Sequence, residues 1–295
     1  MVSSFLSLDS LGGTTEIYIL QMLEVTAMMG WFRVILLTLS VSAGAYAHPK
    51  HILMFSADWD IDAVNAVAKN LSENDFLGLT ANTRLRGGER LVAGHTFSIP
   101  ARLDSVAKRA AQSCPMAGRK EAIIYDPEHW TQTPQEEQKN LRESIARASQ
   151  IVHKKGCFEF GLAPDQQFAG VDPSKCSGEI SSLLDQVAWK NVDIFIVQAQ
   201  GLLSRRCGGA ANTQAYAKFV KDWASELKKR NPEIKIISAI SFSHTDPELM
   251  TTIVEMMKPT VNGFYIAYPK ARSGTCRYCK PENLEKVMKV IKTSD

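Results

Sequence analysis

The chain has 295 residues, of which 45% are hydrophobic and 22% are charged, and its formal net charge at pH 7 is +3. Lysines and arginines are scattered, and the short clusters Arg205-Arg206 and Lys228-Lys229-Arg230 form no basic stripe interleaved with aromatic residues. The composition therefore argues against nucleic acid as a partner.

Residues 31–47 have the composition of a secretory signal. Arg33 supplies a weakly positive start, residues 34–41 an apolar core, and Ala45-Tyr46-Ala47 a small-x-small cleavage site. We predict an upstream extension and signal over residues 1–47, cleaved after Ala47, and a secreted or extracytoplasmic domain over residues 48–295. No membrane span is expected in this mature part. The alternative is an uncleaved N-terminal anchor.

Strand-like apolar runs alternate with helix-like runs along residues 48–295, a pattern typical of parallel α/β folds. The strand candidates are residues 51–55, 76–80, 91–97, 122–125, 158–162, 192–197, 234–240 and 261–267. The helix candidates are residues 61–71, 102–111, 134–155, 178–189, 213–229, 247–257 and 281–292. This alternation predicts a single-domain (β/α)8 TIM-type barrel. An open doubly wound sheet is less favoured, because no glycine-rich phosphate turn follows the first strand.

All six cysteines lie after residue 47, and an even number of cysteines in an exported chain predicts disulfides. Cysteines at the same end of neighbouring strands in the predicted barrel give the pairs Cys114–Cys157, Cys176–Cys207 and Cys276–Cys279. The alternative for Cys276 and Cys279 is a zinc site, which would need a second ligand pair at similar spacing.

One predicted strand stops abruptly in charged and aromatic residues. The apolar run ending at Tyr125 leads into Asp126, Pro127, Glu128, His129 and Trp130. Residues two apart on a strand share a face, so we expect Asp126 and Glu128 to point the same way. The plainer alternative is that Asp126 only begins a turn and caps the helix beyond it.

Barrel enzymes carry their sites at the C-terminal ends of the strands. Carboxylates, amides and aromatic rings are predicted at those ends, and this is the set of groups that binds sugars through hydrogen bonds and ring stacking. The candidate substrate-binding residues are Asp58, Trp130, Gln198, Gln200, His244, Tyr265 and Tyr268.

The chain resembles the glycoside-hydrolase-like (β/α)8 superfamily. The resemblance rests on an exported barrel, on Tyr125-Asp126-Pro127-Glu128 and on the aromatic strand end Gly263–Tyr268, and it matches no specific family. Many such barrels place a proton-donating acid at the end of the fourth strand, which implies that role for Glu128. The chain departs from the common pattern at residues 240–244, where the seventh strand ends without a carboxylate.

The leading hypothesis is therefore glycoside cleavage, with Glu128 as general acid and Asp126 or Asp165 as its partner. In a variant of this mechanism, Asp126 orients Glu128 and raises its pKa while the acetamido group of the sugar attacks. No cofactor is expected, and the expected ligand is a carbohydrate. One alternative is a carbohydrate-binding or structural barrel without turnover. A further alternative is a metal-dependent phosphodiesterase that uses Asp126, Glu128, His129 and Asp165 as ligands.

Overall fold

Eight parallel strands close into a barrel, which confirms the predicted (β/α)8 fold class. The computed structural model describes residues 51–57, 63, 67, 71–78, 95–115, 117, 119–243, 245–268, 276 and 278–293, all of them in the second of two units of the chain, residues 47–295. The barrel strands are β1 (Ile52–Ala57), β2 (Phe76–Gly78), β3 (His95–Ser98), β4 (Glu121–Tyr125), β5 (Phe158–Leu162), β8 (Ile194–Val197), β9 (Lys235–Ser241) and β10 (Gly263–Tyr268). They follow one another around the barrel in chain order, and β1 pairs with β10 to close it.

Alternate residues of each strand fill the inside of the barrel. Met54, Phe76, Ile124 and Ile237 belong to one buried apolar cluster contributed by the strands around the ring. Their neighbours along the chain point outward into a second, larger cluster that packs against the helices. This division follows from the two-residue repeat of a strand, and it means that the lumen is a packed core whose chemistry is confined to its ends.

The helices of the described ranges lie between and after the strands. They are α1 (Leu103–Ala110), α2 (Gln135–Lys139), α3 (Leu141–His153), α4 (Gln166–Ala169), α5 (Leu183–Gln186), α6 (Thr213–Arg230), α7 (Pro247–Met257) and α8 (Pro281–Lys292). The predicted α7 and α8 are confirmed to the residue, and Asp246 caps α7 by accepting from Leu249 N at 2.9 Å. No helix in these ranges is long and apolar enough to cross a membrane.

Two predicted helices differ from those observed. The helix expected over residues 134–155 is interrupted at Asn140, whose backbone (φ −111, ψ 49) separates α2 from α3. The start of the helix expected over residues 178–189 is instead a two-stranded hairpin, β6 (Val171–Asp172) with β7 (Ser177–Gly178). Gly170 ends α4 just before this hairpin with φ 107, and a Cβ atom there would collide with the carbonyl of Glu179.

Three disulfides join Cys114 to Cys157, Cys176 to Cys207, and Cys276 to Cys279, which confirms the predicted pairing. Cys114 precedes β4 and Cys157 precedes β5, so the first disulfide links neighbouring strands at the N-terminal end of the barrel. The second links the loop after β5 to the loop after β8 at the opposite end.

A buried ion pair accompanies closure of the barrel. The carboxylate of Asp75 is fully buried before β2, and it accepts from Leu53 N at 2.7 Å and from Ser72 N at 2.6 Å. Lys292, at the end of α8, donates to it at 2.6 Å and also to the carbonyl of His51 at 3.2 Å. One charge pair thus holds the last helix against the first two strands.

Candidate functional site

Asp126 lies at the C-terminal end of β4 and reaches into the mouth of the barrel. Ala122 and Ile124 face the lumen, and Asp126 continues their two-residue repeat. Gln198, which follows β8, donates its amide to Asp126 Oδ1 at 2.9 Å and to the carbonyl of Ala163 at 2.8 Å. The side chain of Asp126 is therefore held by a residue that follows β8, two strands away from β4 around the barrel.

Glu128 is held beside Asp126 by the loop rather than by the strand. The strand ends at Tyr125, and Pro127 has no N–H with which to continue the ladder. Glu128 N donates to Thr133 Oγ1 at 2.9 Å, and that hydroxyl donates to the carbonyl of Ala101 at 2.7 Å. The expectation that Asp126 and Glu128 share one strand face is therefore wrong in its cause, yet their carboxyl groups do meet and hydrogen-bond to each other.

The two carboxyl groups hold protons unusually strongly. Burial, followed by the charge and the hydrogen bond of Glu128, raises the pKa of Asp126 well above its usual value of 3.8. Burial and then the charge of Asp165 raise the pKa of Glu128 to about 7, although the hydrogen bond with Asp126 opposes the shift. Two carboxylates in contact cannot both ionise easily. We therefore assign the tighter proton to Asp126, which donates it to Glu128.

Asp165 lies in the loop after β5. With Asp126 and Glu128 it completes a group of three carboxylates. Its Oδ1 accepts from Gln167 N at 2.7 Å, so Asp165 also caps the short helix α4. His129 Nδ1 lies 3.7 Å from the same oxygen, and the His129 ring stacks on Phe168 with a centroid separation of 3.7 Å. The three predicted catalytic candidates thus come together at one side of the mouth.

The predicted binding residues are divided between the mouth and the core. Gln198 joins the carboxylate cluster, and Trp130 is 57% exposed on the loop after Glu128. Tyr265 faces the lumen, with its ring edge-on to Phe97. Tyr268 is buried, and its ring packs against Phe55 and Phe242. Its place in the core leaves no ring face for a sugar.

Three further predictions have a different outcome. Gln200 begins a 3-10 helix, Gln200–Leu203, and is not among the residues that hold the carboxylates in the described part of the chain. Asp58 and His244 lie outside the described residues. Neither position therefore adds to the described site.

The sequence did not identify Thr133 or Phe168 as part of this site. Thr133 positions Glu128 through its hydroxyl group, and Phe168 is the surface on which His129 stacks. Thr133 precedes Pro134 at a helix start, and Phe168 is three residues after Asp165, so proximity to the candidates was the one available signal. Their contacts depend on how the loops fold together.

The cluster is suited to proton transfer near neutral pH. A carboxyl group with a pKa near 7 can hold a proton and release it, and the neighbouring Asp126 can stabilise the resulting anion by hydrogen bonding. Across the residues that the structure describes, no group of three or more His, Cys, Asp or Glu side chains has the geometry of a metal site.

Comparison with known proteins does not show a family for this chain. No family model matches the chain, and no curated protein matches it. Among solved structures, it is similar to β-methylaspartase from Clostridium tetanomorphum, crystallised as a magnesium complex, with 12% identity and a TM-score of 0.47. The alignment covers 84% of this chain and 59% of that one, so this chain spans less than two thirds of the length of that protein.

Proposed function

We propose that the protein is a secreted glycoside hydrolase-like barrel, with Glu128 as the general acid. The observation that carries this proposal is the carboxyl pair at the end of β4, in which a neighbouring proton donor, Asp126, faces a Glu128 whose pKa is about 7. Glycoside cleavage needs an acid of raised pKa to protonate the leaving oxygen. Below pH 7 Glu128 carries that proton, and Asp126 stabilises the carboxylate that remains after transfer.

Two routes complete the reaction under this proposal. In the first, Asp165 supplies the second carboxylate and acts as base or nucleophile. In the second, Asp126 orients Glu128, and the acetamido group of an N-acetylated sugar attacks the anomeric carbon of the same sugar. Hydrolysis restricted to N-acetylated sugars, with moderate loss in Asp165→Asn, would favour the second route.

Export of the protein is part of the same proposal. Three disulfides stabilise the described domain, and disulfides of this kind are typical of oxidising compartments. The signal proposed for residues 31–47 lies outside the described residues. N-terminal sequencing of the exported protein tests it, and a mature chain that still contains Trp31 would contradict cleavage after Ala47.

The proposal is tested by hydrolysis of an oligosaccharide panel by the wild-type protein, Glu128→Gln and Asp126→Asn. Glu128→Gln should lower kcat by about 100-fold to 10,000-fold, the usual contribution of a general acid. The matched control is Glu136→Gln, because Glu136 lies on α2 and its carboxylate accepts from Asn140 at 2.7 Å, away from the cluster. Circular dichroism checks that each variant folds. Equal hydrolysis by the wild type and Glu128→Gln would remove Glu128 as the acid.

A carbohydrate-binding barrel without turnover is the second candidate. The observation that favours it is that β9 ends in Ser241 and leads to Phe242 and Ser243, so the described residues at the end of this strand include no carboxylate. Binding of a glycan by the wild type with no hydrolysis would establish this candidate instead. Absence of both binding and hydrolysis would contradict both candidates.

A further inference from the structure

The loop that positions Glu128 also presents an exposed indole. Trp130 is the one large hydrophobic side chain that is exposed among the described residues. Gln138 Nε2 donates to the carbonyls of Trp130 at 3.0 Å and Thr133 at 2.8 Å, and Thr133 N donates to the Trp130 carbonyl at 3.2 Å. The backbone of Trp130 is thus anchored two residues from Glu128 while its side chain faces water. An aromatic ring held in this way loses little conformational entropy on binding.

A second aromatic surface, formed by His129 and Phe168, lies beside the carboxylates at the β5 side of the site. His129 stacks on Phe168, and Phe168 in turn lines a groove of about 440 Å³ between α3 and α5. Gln138, Arg142 and Gln186 also line this groove. Its volume falls within the range of small-ligand sites, and its amide and guanidinium groups can hydrogen-bond to hydroxyl groups.

These two surfaces are continuous with the candidate site. Gln138 belongs to both, since it anchors Trp130 and lines the groove. The His129 ring contacts both Asp165 of the carboxylate cluster and Phe168. A sugar ring offers C–H groups on its faces for stacking and hydroxyl groups around its edge for hydrogen bonding. A single sugar at Glu128 would leave this outer region uncovered, whereas a chain of several sugars would cover it.

We propose that Trp130, the His129–Phe168 stack and the adjoining groove, here called the outer ledge, bind an extended glycan chain beyond the sugars that contact Glu128. The inference rests on the proposed function and adds to it that the substrate is an oligosaccharide or polysaccharide rather than a small glycoside. Because of the outer ledge, binding affinity should increase with the length of the glycan.

The test measures binding of the full-length exported protein to immobilised oligosaccharides of one to eight units, drawn from β-glucan, chitin, mannan, xylan and polyuronate. All binding is measured in the Glu128→Gln background, so that the probes stay intact. Trp130→Ala should weaken binding of probes of about four or more units roughly tenfold, which corresponds to about 1.4 kcal/mol. Binding of one-unit and two-unit probes should stay unchanged, and Trp130→Phe should restore most of the affinity.

The groove has a matched pair of control variants on one helix. Arg142 and Arg147 are both exposed on α3, but Arg142 lines the groove beside Phe168 while Arg147 lines a different one, beside Asp104 and Glu143. Arg142→Ala should weaken binding of the longer probes by severalfold, and Arg147→Ala should not. Both side chains are at the surface, so loss of the fold should not confuse the comparison.

The outcomes separate the two proposals. Glycan binding that is independent of chain length and unaffected by Trp130→Ala and Arg142→Ala would overturn the outer ledge and leave the carbohydrate function standing. Failure of the protein to bind or hydrolyse any member of the panel would overturn both. Length-dependent binding lost in Trp130→Ala and Arg142→Ala but retained in Arg147→Ala is the expected result.

Discussion

Replacing Asp165 by Asn should lower the pKa of Glu128. Burial is the first cause of the raised pKa of Glu128, and the negative charge of Asp165 is the second. Asn removes that charge but keeps the oxygen that accepts from Gln167 N at 2.7 Å, and Asn caps helices as well as Asp does. The substitution therefore changes the electrostatics of the site with little change in its structure.

The size of the effect follows from the setting of Glu128. A charge at close range shifts the pKa of a carboxyl group by about 1 to 3. Glu128 is partly exposed to solvent, and Asp165 is already hydrogen-bonded to Gln167 N, so the lower end of this range applies. We expect the pKa of Glu128 to fall from about 7 to about 6 in Asp165→Asn.

The same shift predicts how stability depends on pH. The pKa of Glu128 is raised in the folded protein, so this group favours the folded state fully below its unfolded value of 4.5. That contribution is lost as the pH rises from 4.5 to about 7, because the unfolded chain ionises first. In Asp165→Asn this loss of stability should be complete at a lower pH than in the wild type. The free energy of unfolding, measured in urea at a series of pH values, tests this.

The direct assay is a ¹³C NMR titration of protein labelled at the side-chain carboxyl of Glu, with the Glu128 signal identified by its loss in Glu128→Gln. Asp172→Asn is the control, because Asp172 is a partly exposed carboxylate in the loop that also contains Asp165, and its hydrogen bond with Ser174 lowers its pKa to about 2. It should leave Glu128 unchanged. A Glu128 midpoint that is equal or higher in Asp165→Asn would refute the role given to Asp165. A wild-type midpoint below 5 would refute the electrostatic description of the whole site.

Two further predictions concern stability. Gln198→Leu removes the amide that donates to Asp126, and it should lower the free energy of unfolding by about 1–3 kcal/mol in urea, with Gln200→Leu as the milder control. An equal decrease in the free energy of unfolding in Gln198→Leu and Gln200→Leu would contradict a special role for Gln198. Lys292→Met leaves Asp75 buried without its cation and should cost about 3–5 kcal/mol, part of which should return when Asp75→Asn is added. An unchanged or larger loss in the double variant would mean that the charge of Asp75 is not the cause.

The strands could be predicted from the sequence because their residues are buried on both faces. β4 and β5 are short apolar runs next to turns, and such runs indicate strands without knowledge of the partners. The location of Asp126 and Asp165 at the same end of the barrel followed from the same reasoning, since neighbouring parallel strands end at one face of a barrel. The position of Glu128 beside Asp126 depends instead on the loop. The disulfide pairing followed in the same way.

The details that tertiary contacts decide could not be predicted. Gly178 lies at the start of a run that suggests a helix, but Gly178 itself pairs with Val171 in a hairpin. The turn of this hairpin contains Cys176, which forms the disulfide with Cys207. Tyr268 follows a strand as a binding residue would, yet its ring packs into the core beside Phe242. Neither contact leaves a local pattern in the sequence.

Closure of the barrel by Asp75 and Lys292 has a consequence for how the chain folds. The two residues are 217 positions apart, and β1 and β10, which must also pair, are nearly as distant. Contacts between such distant segments form slowly because a long loop must first close. Until α8 and β10 pack against β1, Asp75 has no cation and β1 has an unpaired edge. A partly assembled barrel is therefore stabilised only slightly. The domain should therefore fold and unfold as one cooperative unit, and no stable half-barrel should accumulate.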